Sequence, residues 1–158
     1  MKISISSDHG AYDLKEFLKE NLRDDYEIID HGCFSKESCD YPIFASKVAM
    51  DIRDKKCDLG IVLCTNGVGV SIVANKYKGV RCALCLNTDM ALHAKTHNDA
   101  NCLSLGSTNQ SFSEALEITK TFLTTSFSNE ERHARRVNQI KNIEESNNLW
   151  QLLLNTHY

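Results

Sequence analysis

Cys64-Thr65-Asn66-Gly67-Val68-Gly69-Val70-Ser71 sets a thiol directly ahead of a glycine-rich turn. A cysteine at the end of a buried strand, facing the start of a helix, lies in a field that favours thiolate, so Cys64 can act as a base or a nucleophile. The backbone N–H groups of Asn66, Gly67, Val68, Gly69 and Val70 can converge on a phosphate or an oxyanion. Each feature also has a plainer reading: a small core cysteine, and a tight strand-to-helix turn. A dinucleotide fingerprint is excluded, because Ile72 stands where its third glycine belongs and the turn follows the third strand. No Walker lysine motif is present.

Asp8-His9-Gly10 follows the first strand and supplies a carboxylate and an imidazole at the same sheet edge. The pair is either a proton relay or a helix-capping aspartate beside a surface histidine. Arg132 and Arg136 are four apart on an expected helix, so they share a face and can grip one phosphate, or else form a solvated ion-pair face with Glu130 and Glu131. His97-Asn98 precedes the fifth strand, at the opposite end of the sheet from Cys64. If His97 is catalytic, a neighbouring chain receives it.

The elements that position these groups follow from hydrophobic period. Apolar residues at 3 and 5, then at 14, 17, 18 and 22, switch from a period of two to a helical period, and the switch recurs. A strand near Glu27 to Asp30 is followed by a helix opening at Pro42, where the missing N–H is harmless. Ala45, Val48, Ala49 and Ile52 mark its buried face. Leu59 to Cys64, Val80 to Cys85 and Asn101 to Leu105 read as strands, with a helix from Asp89 to Thr96 between the last two. The S-x-x-E spacings at Ser111/Glu114 and Ser128/Glu131 predict two capped helix starts. The fold class expected is α/β, a single-domain doubly wound, Rossmann-like sheet of about five parallel strands with helices on both faces. The domain spans 1–146, and the Leu-rich tail 147–158 has no docking site legible in the sequence.

Composition bounds the function. A chain of 158 residues with 42% hydrophobic and 25% charged residues suits one globular domain. A net charge of −3 lacks the basic excess of a nucleic-acid binder, so no nucleic-acid partner is expected and any anion site is local. The longest uncharged run, Leu59 to Asn75, carries polar residues in its middle and predicts no membrane span, and the first eight residues do not read as a signal peptide. The expected location is cytoplasmic. Seven cysteines, an odd number, suit free thiols. Cys82 and Cys85 on one strand point to opposite faces and cannot chelate one metal, so no metal is expected.

Ser7-Asp8-His9-Gly10, Asp40-Tyr41-Pro42, the Cys64 to Lys76 segment, Gly79-Val80-Arg81, His97-Asn98-Asp99-x-Asn101, Gly106-Ser107 and Arg132-His133-x-x-Arg136, in this order, resemble type B ribose-5-phosphate isomerases over about residues 2 to 143. Galactose-6-phosphate isomerase subunits share the pattern in part. The resemblance implies reversible interconversion of ribose 5-phosphate and ribulose 5-phosphate through a cis-enediolate, without metal or organic cofactor. It implies Cys64 as the base, with Val70 where another subgroup has Glu, and Asp8 and His97 as the ring-opening groups. His9, Arg132 and Arg136 match the phosphate clamp, Tyr41 and Asn98 the sugar contacts, and residues 66 to 70 the anion hole. A small sugar phosphate is the expected partner, and the assembly is a homodimer with shared sites, or a tetramer. Two departures stand out: Thr65-Asn66 replaces the family's Gly then Ser or Thr, and Thr108 stands where an arginine is common. The alternatives are an isomerase of a six-carbon sugar phosphate, a non-enzymatic nucleotide- or sugar-phosphate-binding module using only the glycine turn, and a silent relative.

Overall fold

The computed structural model describes residues 1–155, with side chains described for residues 1–146. Five strands, β1 (Lys2–Ser7), β2 (Glu27–Asp30), β3 (Leu59–Cys64), β4 (Cys82–Leu84) and β5 (Cys102–Gly106), form one all-parallel sheet in the order β2-β1-β3-β5-β4. Six helices accompany them: α1 (Tyr12–Leu22), α2 (Tyr41–Arg53), α3 (Val68–Ala74), α4 (Thr88–Asn98), α5 (Phe112–Thr124) and α6 (Glu131–Asn155). The architecture is the expected Rossmann-like α/β sheet.

Strand β3 is central and buried at every position, as a strand covered on both faces must be. Its period of two divides the core. Leu59, Ile61 and Leu63 join Leu14 and Leu18 of α1 and Ile118 and Phe122 of α5, whereas Val62 and Cys64 join Val48 of α2 and Val70 of α3. Cys82 and Cys85 likewise fall on opposite faces. Pro42 sits in the first turn of α2, and Ala45, Val48, Ala49 and Ile52 are its buried stripe.

Three boundaries differ from the sequence expectation. Strand β4 is shorter than Val80 to Cys85, because the Val80 N–H turns back to the Tyr77 carbonyl at 3.1 Å and the Arg81 N–H donates to Asn101 Oδ1 at 2.8 Å. Those donors are engaged outside the ladder. Helix α4 runs on to Asn98, so His97 and Asn98 occupy its last turn. The capping box forms at Ser111 and Glu114 but not at Ser128 and Glu131. There, Ser128 Oγ meets His133 Nδ1 at 2.9 Å and the Glu130 N–H at 3.3 Å, while Glu131 pairs with Arg135 at 2.9 Å.

No helix among the described residues is long and apolar enough to cross a membrane. Helix α6 passes residue 147 without a break, and the docking of tail 147–158 lies outside the described side chains.

Candidate active site

Strands β1 and β3 are neighbours with Ser7 opposite Leu63, so the loops that follow them emerge side by side. The Asp8 N–H donates to the Leu63 carbonyl at 3.1 Å, and the Ser107 N–H donates to the Cys64 carbonyl at 3.0 Å. Ser107 Oγ donates to the Gly10 carbonyl at 2.8 Å. The loops after β1, β3 and β5 are thereby laced together at the carboxyl edge of the sheet.

Cys64 ends β3 and is 5% exposed. Its Sγ accepts the Gly67 N–H at 3.1 Å, a contact that strengthens as negative charge develops on sulfur. Asp8 caps the short 3-10 turn His9–Ala11 through one oxygen, which accepts the Ala11 N–H at 3.1 Å. Its other oxygen has no partner among the described residues. The His9 Nδ1 accepts the Cys39 N–H at 3.2 Å, which orients the ring and leaves Nε2 to carry a proton. Tyr41 opens α2 against the turn: a Cβ on Gly69 would stand 2.7 Å from Tyr41 Cζ.

The turn itself is more crowded than its sequence suggests. Gly67 has φ +77°, and a Cβ there would meet Leu84 Cδ1 at 2.6 Å and the Leu105 carbonyl carbon at 2.9 Å. With the Gly67 N–H on sulfur, the Val68 N–H donates to Asn66 Oδ1 at 3.0 Å. The N–H groups of Asn66, Gly69 and Val70 have no acceptor among the described residues. Three of the five N–H groups of the turn are therefore without an acceptor among the described residues, and the Asn66 side-chain amide covers a fourth.

The other expected residues gather at the opposite end. His97 stacks on His93 with ring centroids 4.7 Å apart, and packs tilted against His133 of α6 at 4.3 Å. Desolvation holds the His97 imidazole below its usual value, reinforced by His133, His93 and Arg132 and opposed by Glu130. The Asn98 carbonyl accepts Arg81 Nε at 3.1 Å. Arg132 takes up the ion-pair option with Glu130 at 2.9 Å, whereas Arg136, one turn on, has no carboxylate partner among the described residues. One chain thus unites Asp8, His9, Tyr41, Cys64 and residues 66 to 70, and separately His97, Asn98, Arg132 and Arg136, without joining the two sets.

Several of the other cysteines are held as thiols by their surroundings. Burial pushes the Cys57 thiol up to about 11 and the Cys85 thiol up to about 12. A hydrogen bond to Cys82 and burial raise Cys102 well above its usual value. No group of three His, Cys, Asp or Glu side chains among the described residues is arranged to hold a metal ion. Sequence reasoning missed Cys39, whose N–H orients His9, and Asn109, whose Nδ2 donates to the Asn66 carbonyl at 3.0 Å. Neither carried a signal, since Cys39 belongs to a loop without periodicity and Asn109 to a turn.

The profile described as Ribose/Galactose Isomerase matches residues 3–140. A putative sugar phosphate isomerase of Bacillus subtilis, YwlF, is 42% identical over 150 residues, covering 93% of this chain and 99% of that protein. Ribose-5-phosphate isomerase B of Escherichia coli is 36% identical over 148 residues, covering 93% of this chain and 99% of its own length. The structure of Clostridium thermocellum ribose-5-phosphate isomerase B superposes with a TM-score of 0.90 at 46% identity, covering 92% of this chain and 99% of that one. With matches of this length in sequence and in fold, the chain belongs to the ribose/galactose isomerase family.

Proposed function

We propose that the chain is an aldose-ketose isomerase that interconverts ribose 5-phosphate and ribulose 5-phosphate, acting in the cytoplasm. The observation that carries this reading is the Cys64 sulfur under the Gly67 N–H, beside backbone donors with no acceptor of their own, in a chain whose relatives include proteins named for that reaction. Ring opening breaks the bond between C1 and the ring oxygen: one group takes the anomeric hydroxyl proton, C1 becomes a carbonyl, and the ring oxygen takes up a proton. Asp8 and His97 are assigned to these transfers. The Cys64 thiolate then removes the C2 proton and negative charge moves to O1 in a cis-enediolate; the proton of the C2 hydroxyl passes to O1, and the thiol returns its proton to C1 as C2 becomes the carbonyl. The N–H groups of Asn66, Gly69 and Val70 stabilise the developing oxyanion. Tyr41 and Asn98 contact the sugar, and His9, Arg132 and Arg136 hold the phosphate.

Because Cys64 and His97 lie at opposite ends of one sheet, the working unit in this reading is a homodimer in which each site takes His97, Asn98 and the two arginines from the partner. The exposed apolar side chains of Ile43, Val68 and Ile72, on α2 and α3 beside the Cys64 turn, support a covered face there. Turnover of ribose 5-phosphate, measured beside allose 6-phosphate and galactose 6-phosphate, tests the assignment. Preferred turnover of the pentose phosphate is expected. Turnover restricted to a six-carbon phosphate would replace the substrate, and a folded protein inactive on all three would overturn the reading.

A further inference from the structure

Helix α4 sets His93 and His97 four residues apart, so their rings stack at 4.7 Å with an interplanar angle of 19°. His133 reaches the other ring neighbour position from α6, 4.3 Å from His97 and tilted by 38°. His133 is only 3% exposed, and its Nδ1 lies 2.9 Å from Ser128 Oγ. Ser128 is itself tied to α4, its N–H donating to the Thr96 carbonyl at 3.2 Å. The serine that fails to make a capping box thus anchors a histidine to the helical turn bearing His97.

We propose that His93 and His133, the latter tethered through Ser128, are positioning residues that fix the His97 imidazole for its proton transfer. This rests on the reading of His97 as a ring-opening group. The stack restrains the ring on both neighbours, and it places like charges side by side. Two adjacent imidazolium rings repel, and Arg132 adds a further positive charge, while Glu130, the nearby carboxylate, is paired to that same arginine at 2.9 Å. Desolvation first, and the His133, His93 and Arg132 charges after it, keep His97 neutral to lower pH than a solitary histidine, with a nitrogen lone pair for the anomeric proton. The imidazolium so formed, destabilised by its neighbours, gives the proton up readily.

The test uses His93→Phe, which keeps a stacked ring but removes its titrating nitrogens, and Ser128→Ala, which frees His133. His97 is followed by imidazole NMR in the full-length protein, alongside the pH profile of kcat and the KM for ribose 5-phosphate. In His93→Phe the His97 titration is expected to move to higher pH and the acid limb of kcat to follow it, with KM held within about twofold. Ser128→Ala is expected to lower kcat more than it raises KM. An unmoved His97 titration in both variants, or a loss of kcat equal at every pH, would overturn the proposal. A His97 titration that moves while the kcat profile stays fixed would uphold the stack and remove His97 from the proton path.

Discussion

At Cys64 the decisive property is how tightly the atom under the Gly67 N–H holds its proton. Serine would accept the same N–H but is a far weaker base near neutral pH, so Cys64→Ser is expected to lower kcat by at least roughly 100-fold, with KM little changed. Steady-state kinetics check this, and a variant retaining most of its turnover removes Cys64 from the role of base. The two arginines differ in what they must give up. Arg132 leaves Glu130 to bind a phosphate, whereas Arg136 has no carboxylate partner among the described residues, so Arg136→Ala is expected to weaken substrate binding by about 1.5 to 3 kcal/mol. Its KM on phosphorylated substrate reports the loss. Gly69→Ala tests the close approach of the turn to Tyr41. The added methyl would sit 2.7 Å from the ring, so kcat/KM is expected to fall while the melting temperature changes little, since an exposed ring can swing away.

Among the elements, α1 and β2 are joined by a buried cation. The Lys15 side chain is 0% exposed and its Nζ meets Asp30 at 2.7 Å and Glu16 at 2.6 Å. Burial alone would raise the Asp30 carboxyl, but hydrogen bonds from Lys15 and Lys19 outweigh it and hold it below the usual carboxylate range. A carboxyl lowered on folding stabilises the fold above its unfolded value near 3.8, and that contribution is lost as pH falls through the lower folded value. Asp30→Asn is expected to cost about 3 kcal/mol at neutral pH, read from denaturant melts, and to flatten the acid side of the stability profile. The helical period of α1 was legible from Leu14, Leu18 and Leu22, yet Lys15 beside them gave no sign of burial, because its partner is fifteen residues away. The same limit recurs elsewhere. Ser128 reads as a helix cap until His133 takes its hydroxyl, and Val80 reads as strand until its N–H turns back to Tyr77. Periodicity reports local bonds and faces, whereas side chains recruited from distant segments redraw the ends of elements. Cys64 and the glycine turn were readable because strand, thiol and turn are contiguous in the chain, and Cys39 beside His9 was not.

For the whole molecule, the two separated residue sets make a direct prediction about assembly. Cys64 pairs with Gly106 at one end of the β3/β5 ladder, and His97 precedes the other end at Cys102, roughly five residues or ~15 Å away. Inactive Cys64→Ala and inactive His97→Asn proteins, mixed so that subunits exchange, should regain activity, because each heterodimer carries one site with both lesions and one with neither. Exchange verified by mass with activity still at background would end the shared-site reading. The sheet order has a further consequence, for synthesis. Strand β4 leaves the ribosome before β5, the only strand it pairs with, and β5 is also the outer neighbour of β3. Until residue 106 has emerged, the half-built sheet offers a bare, apolar β3 edge to every other nascent chain nearby. A chain released at residue 100 should therefore aggregate where the complete chain folds, and translation through this stretch is the moment at which a holding chaperone has most to cover.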